Sequence, residues 1–272
     1  MDLMVTTLAR EDGLEAALAV LVQRDLVCRM IRPVPALARV ALPALVMGRE
    51  ERAVLEECLG DDYPCAGWVE YRPTRREMPS GEAQEFSEDI FGTARIVTLQ
   101  PCVADDTKIR VIADLSNDIG PVIPYLNAVV DNASYSGNGP SLSFMDGERM
   151  IVLRPRSISI AKADEIVDAW LCLERYRQTI NDTWSRRAGI EPSFEARSKP
   201  NVIELIRRLP GTNCGMCGEM TCMAFAVKVC SGKAAIVECK PAFESTDSAS
   251  RRALLEACAG MGIPVGSSFR EV

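Results

Sequence analysis

Four cysteines, Cys214, Cys217, Cys222 and Cys239, constrain this chain more than any other feature. Their spacing, C-x2-C-x4-C-x16-C, places four thiols within twenty-six residues. The first three lie so close in sequence that they converge only if the backbone wraps around a common centre. Gly215 and Gly218 each follow one of these cysteines. Without a Cβ they allow positive φ in a tight wrap and let backbone N–H groups approach an inorganic sulfide. Thiolates are soft ligands, and a set of four selects an iron–sulfur cluster or zinc. Zinc sites usually present two C-x2-C knuckles, whereas here one knuckle precedes a cysteine opening an apolar helix and then a distant fourth. That favours a [4Fe–4S] cluster over zinc. A fifth cysteine, Cys230, stands eight residues beyond Cys222. On a helix that is about 12 Å along the axis, out of reach of metal–thiolate bonds of about 2.3 Å. Gly232 stops the helix and gives the chain room to bring Cys239 back.

The run LPGTNCGMCGEMTCMAFAVKV from Leu209, with Gly232-Lys233 and Glu238-Cys239 beyond it, resembles a known cluster domain. It is similar to the small [4Fe–4S] domain that opens the large subunit of the corrinoid iron–sulfur protein of anaerobic one-carbon metabolism. Less closely, it resembles the cluster domain in the B subunit of Rnf electron-transport complexes. The resemblance covers about residues 200–243, and the whole chain is similar to iron–sulfur proteins of anaerobes that carry this domain toward the C-terminal side. In both families four cysteines at this spacing hold one cubane, which implies that role for Cys214, Cys217, Cys222 and Cys239. The implied work is one-electron transfer in anaerobic metabolism, with a ferredoxin-like donor or a corrinoid protein acceptor as partner. In the corrinoid relative the cluster passes the electron that restores Co(I). The rival expectation is a redox-responsive or structural cluster in a binding or regulatory protein, with residues 1–190 recognising a partner. A cluster held by four cysteines leaves no open iron, so an electron-transfer or accessory role is expected rather than a stand-alone enzyme.

The chain has eleven cysteines and no histidine. The absent imidazole removes Ser–His and Cys–His nucleophile pairs, His-based zinc sites and Rieske-type clusters. It also removes the D-x-H-x-x-G signature by which many cobalamin proteins ligate cobalt. A net charge of −7 argues against nucleic acid as a partner. The charge is uneven: residues 200–243 hold five Lys/Arg against three Asp/Glu, or +2, leaving 26 against 35, or −9, elsewhere. The first residues lack the basic and apolar regions of a signal peptide, and the most apolar run, 34–47, is broken by Pro35, Arg39 and Pro43. No membrane span is expected, and the expected location is cytoplasmic, with reduced thiols.

The expected fold class is α+β, with N-terminal α/β-type units followed by a small, mostly helical cluster module. The expected divisions are 1–90, a small α/β unit; 91–189, an α+β unit with a hairpin and a long helix; 190–200, a linker; 201–243, the cluster domain; and 244–272, a helix and tail that looks loose from Gly260. Helices are expected at 13–23, 49–59, 118–130, 163–187, 201–209, 221–230 and 245–259. Strands are expected at 26–31, 40–47, 65–71, 94–99, 108–115 and 157–160, with a hairpin over 141–153 turning at Asp146-Gly147. Residues 72–88 read as a surface loop or linker, with Arg75, Arg76 and the acidic residues from Glu82 to Asp89 as a solvated face. Trp170 and Trp184 fall on one stripe of the long helix with Ile166, Leu173 and Ile180, a core pattern rather than an electron path. Cys28, Cys58, Cys65 and Cys102 match no ligand spacing and read as small apolar residues. Asp105-Asp106, Asp114 and Asp118 read as caps and turn residues, and the glycine-rich 136–140 stretch as a turn without a phosphate-loop lysine.

Overall fold

The computed structural model describes residues 3–131, 133–137, 139–195, 201–244, 247–261 and 263. The chain begins with β1 (Met4–Thr7), α1 (Glu11–Gln23), β2 (Arg29–Ile31), β3 (Ala44–Met47), α2 (Arg49–Leu59) and β4 (Val69–Glu70). The strands form one antiparallel sheet in the order β2-β3-β1-β4. β1 is central although its Met-Val-Thr-Thr sequence gives little strand signal. Burial on both sides explains its tolerance of threonine: the Thr6 hydroxyl donates to the Gly67 carbonyl at 2.6 Å. β3 is likewise buried on both faces. Ala44 and Val46 belong to the main core, whereas Leu45 and Met47 pack with Ala17 and Leu21 of α1 and Leu55 and Leu59 of α2. α2 ends at Gly60, whose φ of +55° carries the chain out of the helix.

A second antiparallel sheet takes β5 (Ala94–Cys102), β6 (Asp105–Leu115), β7 (Ser134–Ser136), β8 (Ser141–Asp146), β9 (Arg149–Arg154) and β10 (Ser157–Ala163) in the order β5-β6-β10-β9-β8-β7. Asp146 pairs with Arg149, so the hairpin turn is Gly147-Glu148, one residue later than the sequence suggests. Gly147, at φ +61°, is its first residue, the position where a primed turn needs a left-handed backbone. Between the strands lies α3 (Ile123–Val129), and α4 (Ile166–Ser185) follows β10. α4 buries Ile166, Ala169, Trp170, Leu173 and Ile180 against Val111, Ile151, Leu153, Ile158 and Ile160 of the sheet.

α4 also buries Asp168, Glu174, Arg177 and Asn181, and a charged helix face inside a protein needs partners. Residues 72–93 supply them. This segment has no regular structure, yet it crosses the helix under several bonds. Arg76 pairs with Asp164 and reaches Asp168 at 3.3 Å. Arg177 donates to the Gln84 carbonyl at 2.8 Å and to Glu174. Asn181 donates to Asp89 at 2.9 Å and accepts from the Ile90 amide at 2.9 Å. The expectation of solvated charges therefore fails at Arg76 and Asp89, which are pins.

The C-terminal residues are helical: α5 (Val202–Arg208), α6 (Cys222–Cys230), α7 (Lys240–Glu244) and α8 (Ser248–Gly260). They surround a hydrophobic cluster of their own, with Leu205, Phe225, Val229, Ile236 and Leu254 at its centre. Met261 and Ile263 are buried in it, so the chain is anchored just where the sequence suggested a loose tail. The remainder of that tail lies outside the described residues, as does 196–200 of the expected linker. At the near end of that linker, Asn127 of α3 donates to the carbonyls of Ser193 at 2.9 Å and Glu195 at 3.1 Å. Lys233 reaches Glu148 of the hairpin turn at 3.1 Å. Helices make up 38% and antiparallel sheet 23% of the described residues, and the fold class is α+β.

Candidate metal centre

The cysteines are presented by three pieces of local structure. The first is the loop from α5 to α6, in which Gly211, Asn213, Gly215 and Gly218 take φ of +70°, +46°, +73° and +84°. Four left-handed residues in eight curl the backbone around Cys214 and Cys217. A Cβ on Gly215 would meet nothing within 4 Å, so glycine is needed for conformation and not for space. The Gly218 amide donates to the Gly215 carbonyl at 3.0 Å, closing the turn. Gly215 lines the hollow described below, whereas Gly218 is not among its lining residues.

The second piece is the start of α6, where Cys222 is the first helical residue. Thr221 caps the helix by accepting from the Ala224 amide at 3.1 Å. The Asn213 side chain accepts from the Cys222 amide at 2.8 Å and fastens the helix start to the loop nine residues earlier. The helix N-terminus carries partial positive charge, which favours a thiolate there. α6 buries Phe225, Ala226 and Val229 and closes on Gly232 at φ +70°, with the Gly232 amide bonded to the Val229 carbonyl and the Lys233 amide to the Lys228 carbonyl. The third piece is a single 3-10 turn, Ile236–Glu238, which delivers Cys239 to the opening of α7.

Cys214, Cys217, Cys222 and Cys239 line one small hollow together with Thr212, Asn213, Gly215, Glu219, Phe225 and Pro241. Cys239 is its buried wall, only 5% exposed, whereas Cys214 is open to solvent. Burial pushes the Cys239 thiol above its ordinary pKa, and the facing Cys222, Cys217 and Cys214 add to the effect. Bonds from the Met216 amide and the Thr212 hydroxyl hold the Cys214 thiol below its ordinary value. Glu219 is paired with Lys228, which offsets a carboxylate beside the thiols. Four soft donors and no imidazole are the donor set of an iron–sulfur cluster. Cys230 does not line the hollow and packs at the far end of α6 against the module core.

Thr212 and Asn213 were not singled out from sequence. Asparagine before a cysteine is a usable signal, since it is among the few residues that tolerate the left-handed region. Cys28 and Cys65 are half-buried beside the α1–α2 cluster, Cys58 is exposed and Cys102 is buried. Among the described residues, no group of three or more His, Cys, Asp or Glu is gathered tightly enough for a metal ion.

Residues 209–241 match the family model described as "Putative Fe-S cluster", which places this stretch in the iron–sulfur cluster-binding class. Two curated relatives match part of the chain. One is the corrinoid/iron-sulfur protein large subunit of Moorella thermoacetica, 38% identical over 64 residues, which are 22% of this chain and 14% of that protein. The other is the acetyl-CoA decarbonylase/synthase complex subunit gamma 2 of Methanosarcina thermophila, 43% identical over 54 residues, 20% of this chain and 12% of that protein. The chain thus spans only 14% and 12% of the length of these relatives. No solved structure matches the chain. Among the described residues, no helix is long and apolar enough to cross a membrane.

Proposed function

We propose that the chain binds one [4Fe–4S] cluster through Cys214, Cys217, Cys222 and Cys239 and carries single electrons in anaerobic metabolism. The observation that carries this reading is the convergence of four thiols, from a loop, a helix start and a 3-10 turn, on one hollow. The ligand pattern favours a cubane over zinc: one C-x2-C knuckle is followed by Cys222 at a helix start and a distant Cys239, whereas zinc sites usually present two knuckles. A cubane offers each of four thiolates its own iron. When bound, the cluster supplies a one-electron couple whose potential follows net charge, hydrogen bonds to sulfur and exposure.

The surrounding residues divide the tasks. Cys239, Phe225 and Pro241 close the inner side against water, and Gly215 lets backbone approach the hollow. The exposed Cys214 brings one edge to the surface, where a redox protein can come within transfer distance. The names of the two relatives support a corrinoid or one-carbon setting, in which a ferredoxin-like protein would be the donor and a corrinoid protein the acceptor. Protein reconstituted without oxygen should contain about four irons and four sulfides per chain, as four-thiolate ligation implies. It should turn from EPR-silent to EPR-active on reduction and be reduced rapidly by a ferredoxin. Stoichiometric zinc without visible absorption would end this reading.

A further inference from the structure

A second hollow lies against the first. It is a groove of about 430 Å³ between the end of α5, the start of α7 and the first turns of α8, within the range of about 300–1,000 Å³ usual for small-molecule sites. Leu209, Pro241 and Leu254 give it an apolar floor. Three guanidinium groups, Arg207, Arg208 and Arg251, stand around that floor against one carboxylate, Asp247. The carboxylate is already engaged, since it caps α8 by accepting from the Ala249 and Ser250 amides, both at 3.1 Å. Arg208 is paired with Glu204 at 2.6 Å, and Arg251 spends one N–H on the Phe243 carbonyl at 3.4 Å. Among the described residues, the Arg207 guanidinium has no hydrogen bond or ion pair. A groove with an apolar floor and unspent planar donors matches a ligand with both characters, because guanidinium forks fit phosphate and carboxylate oxygens in pairs.

We propose that this groove binds a small anion bearing phosphate or carboxylate groups on an apolar body, and that its occupancy lowers the reduction potential of the cluster. Pro241 forms a wall of both hollows, two residues beyond Cys239, so a bound anion adds negative charge beside the thiolates. Negative charge opposes the arrival of an electron. Linkage then requires that reduction weaken anion binding by the same factor, so the ligand is released as the electron arrives. The binding half stands on the groove alone, whereas the redox half rests on the electron-carrier reading above.

The test uses cluster-loaded protein kept without oxygen. Phenyl phosphate and phthalate, the simplest phosphate and dicarboxylate on a ring, are titrated by calorimetry. Saturable binding is expected, and whichever probe binds tighter assigns the anion class. Arg207→Gln and Arg251→Gln should each weaken it by about tenfold, the worth of a charge-assisted hydrogen bond. Arg252→Gln removes an equal charge from α8 outside the groove and should leave binding unchanged. Absence of saturable binding, or equal weakening by all three substitutions, overturns the site. Redox titration with and without saturating ligand should show a lower midpoint with it, and an unchanged midpoint overturns the coupling. A protein whose cluster cannot be reduced at all removes the carrier reading while the calorimetry still decides the site.

Discussion

The β-rich residues 3–195 and the helical residues 201–263 are held together by different means. The first region closes on hydrocarbon: two sheets, α3 and α4 share one extended core, and a second cluster lies under α1 and α2. The buried polar groups of α4 are pinned by the segment at 72–93, as Arg177 is by Gln84 and Asn181 by Asp89. Among the described residues the second region has a core of twelve buried residues, and its centre is partly a hollow lined with thiols. A unit this small rarely gathers enough apolar burial for independent stability, and a metal centre commonly makes up the difference. The contrast implies that one region folds without iron and the other depends on it.

The largest effect should come from breaking the ligand set. Cys239→Ser should lose iron, to about three per chain or fewer, whereas Cys230→Ser should keep about four. Hydrogen exchange on Cys239→Ser should show α6 amides unprotected and β6 and β10 amides still protected. Loss of protection in both regions at once would refute the division. Next in size are the two cores. Trp170→Ala and Phe225→Ala should each cost about 3–5 kcal/mol, with only the second lowering iron content. Parallel denaturation and iron assays on the two variants separate the regions.

A smaller effect isolates the loop. Asn213→Ala should destabilise the module by about 1–2 kcal/mol through the lost bond to the Cys222 amide and the left-handed backbone. Asn213→Gly keeps the backbone and should recover part of that in the same denaturation assay. Titration of Glu165 should be subtler still. Burial raises its pKa, so the native state holds its proton more firmly than the unfolded chain. Its contribution is complete below the ordinary value of 4.5 and is lost as pH rises through the raised native value. Glu165→Gln should flatten that decline in urea midpoints of the β-rich region and leave the module unchanged. Smallest is the exposed pair between the regions: Lys233→Ala should leave both unfolding transitions where they were, since exposed pairs contribute little.

Much of this was legible locally. The cysteine spacing, the glycines of the cluster loop, the stop at Gly232 and the run of α4 act through neighbours a few residues apart, where covalent geometry leaves few choices. Even the hairpin over 141–153 was read correctly but for one residue, because its turn depends on a single glycine backbone. The sequence by itself therefore determined that residues 209–241 are an iron–sulfur cluster stretch, and it determined most helices. Only the tertiary structure decided the rest. β1 became a central strand because β3 and β4 flank it, not because Met-Val-Thr-Thr alternates. Arg76 and Asp89 became pins because α4 buries a carboxylate and an amide about ninety residues away in the chain. Asn213 acquired its role from an amide nine residues on, and the groove exists only where α5, α7 and α8 meet. A local pattern fixes what a residue can do, but burial and partners across the fold select which of those things it does.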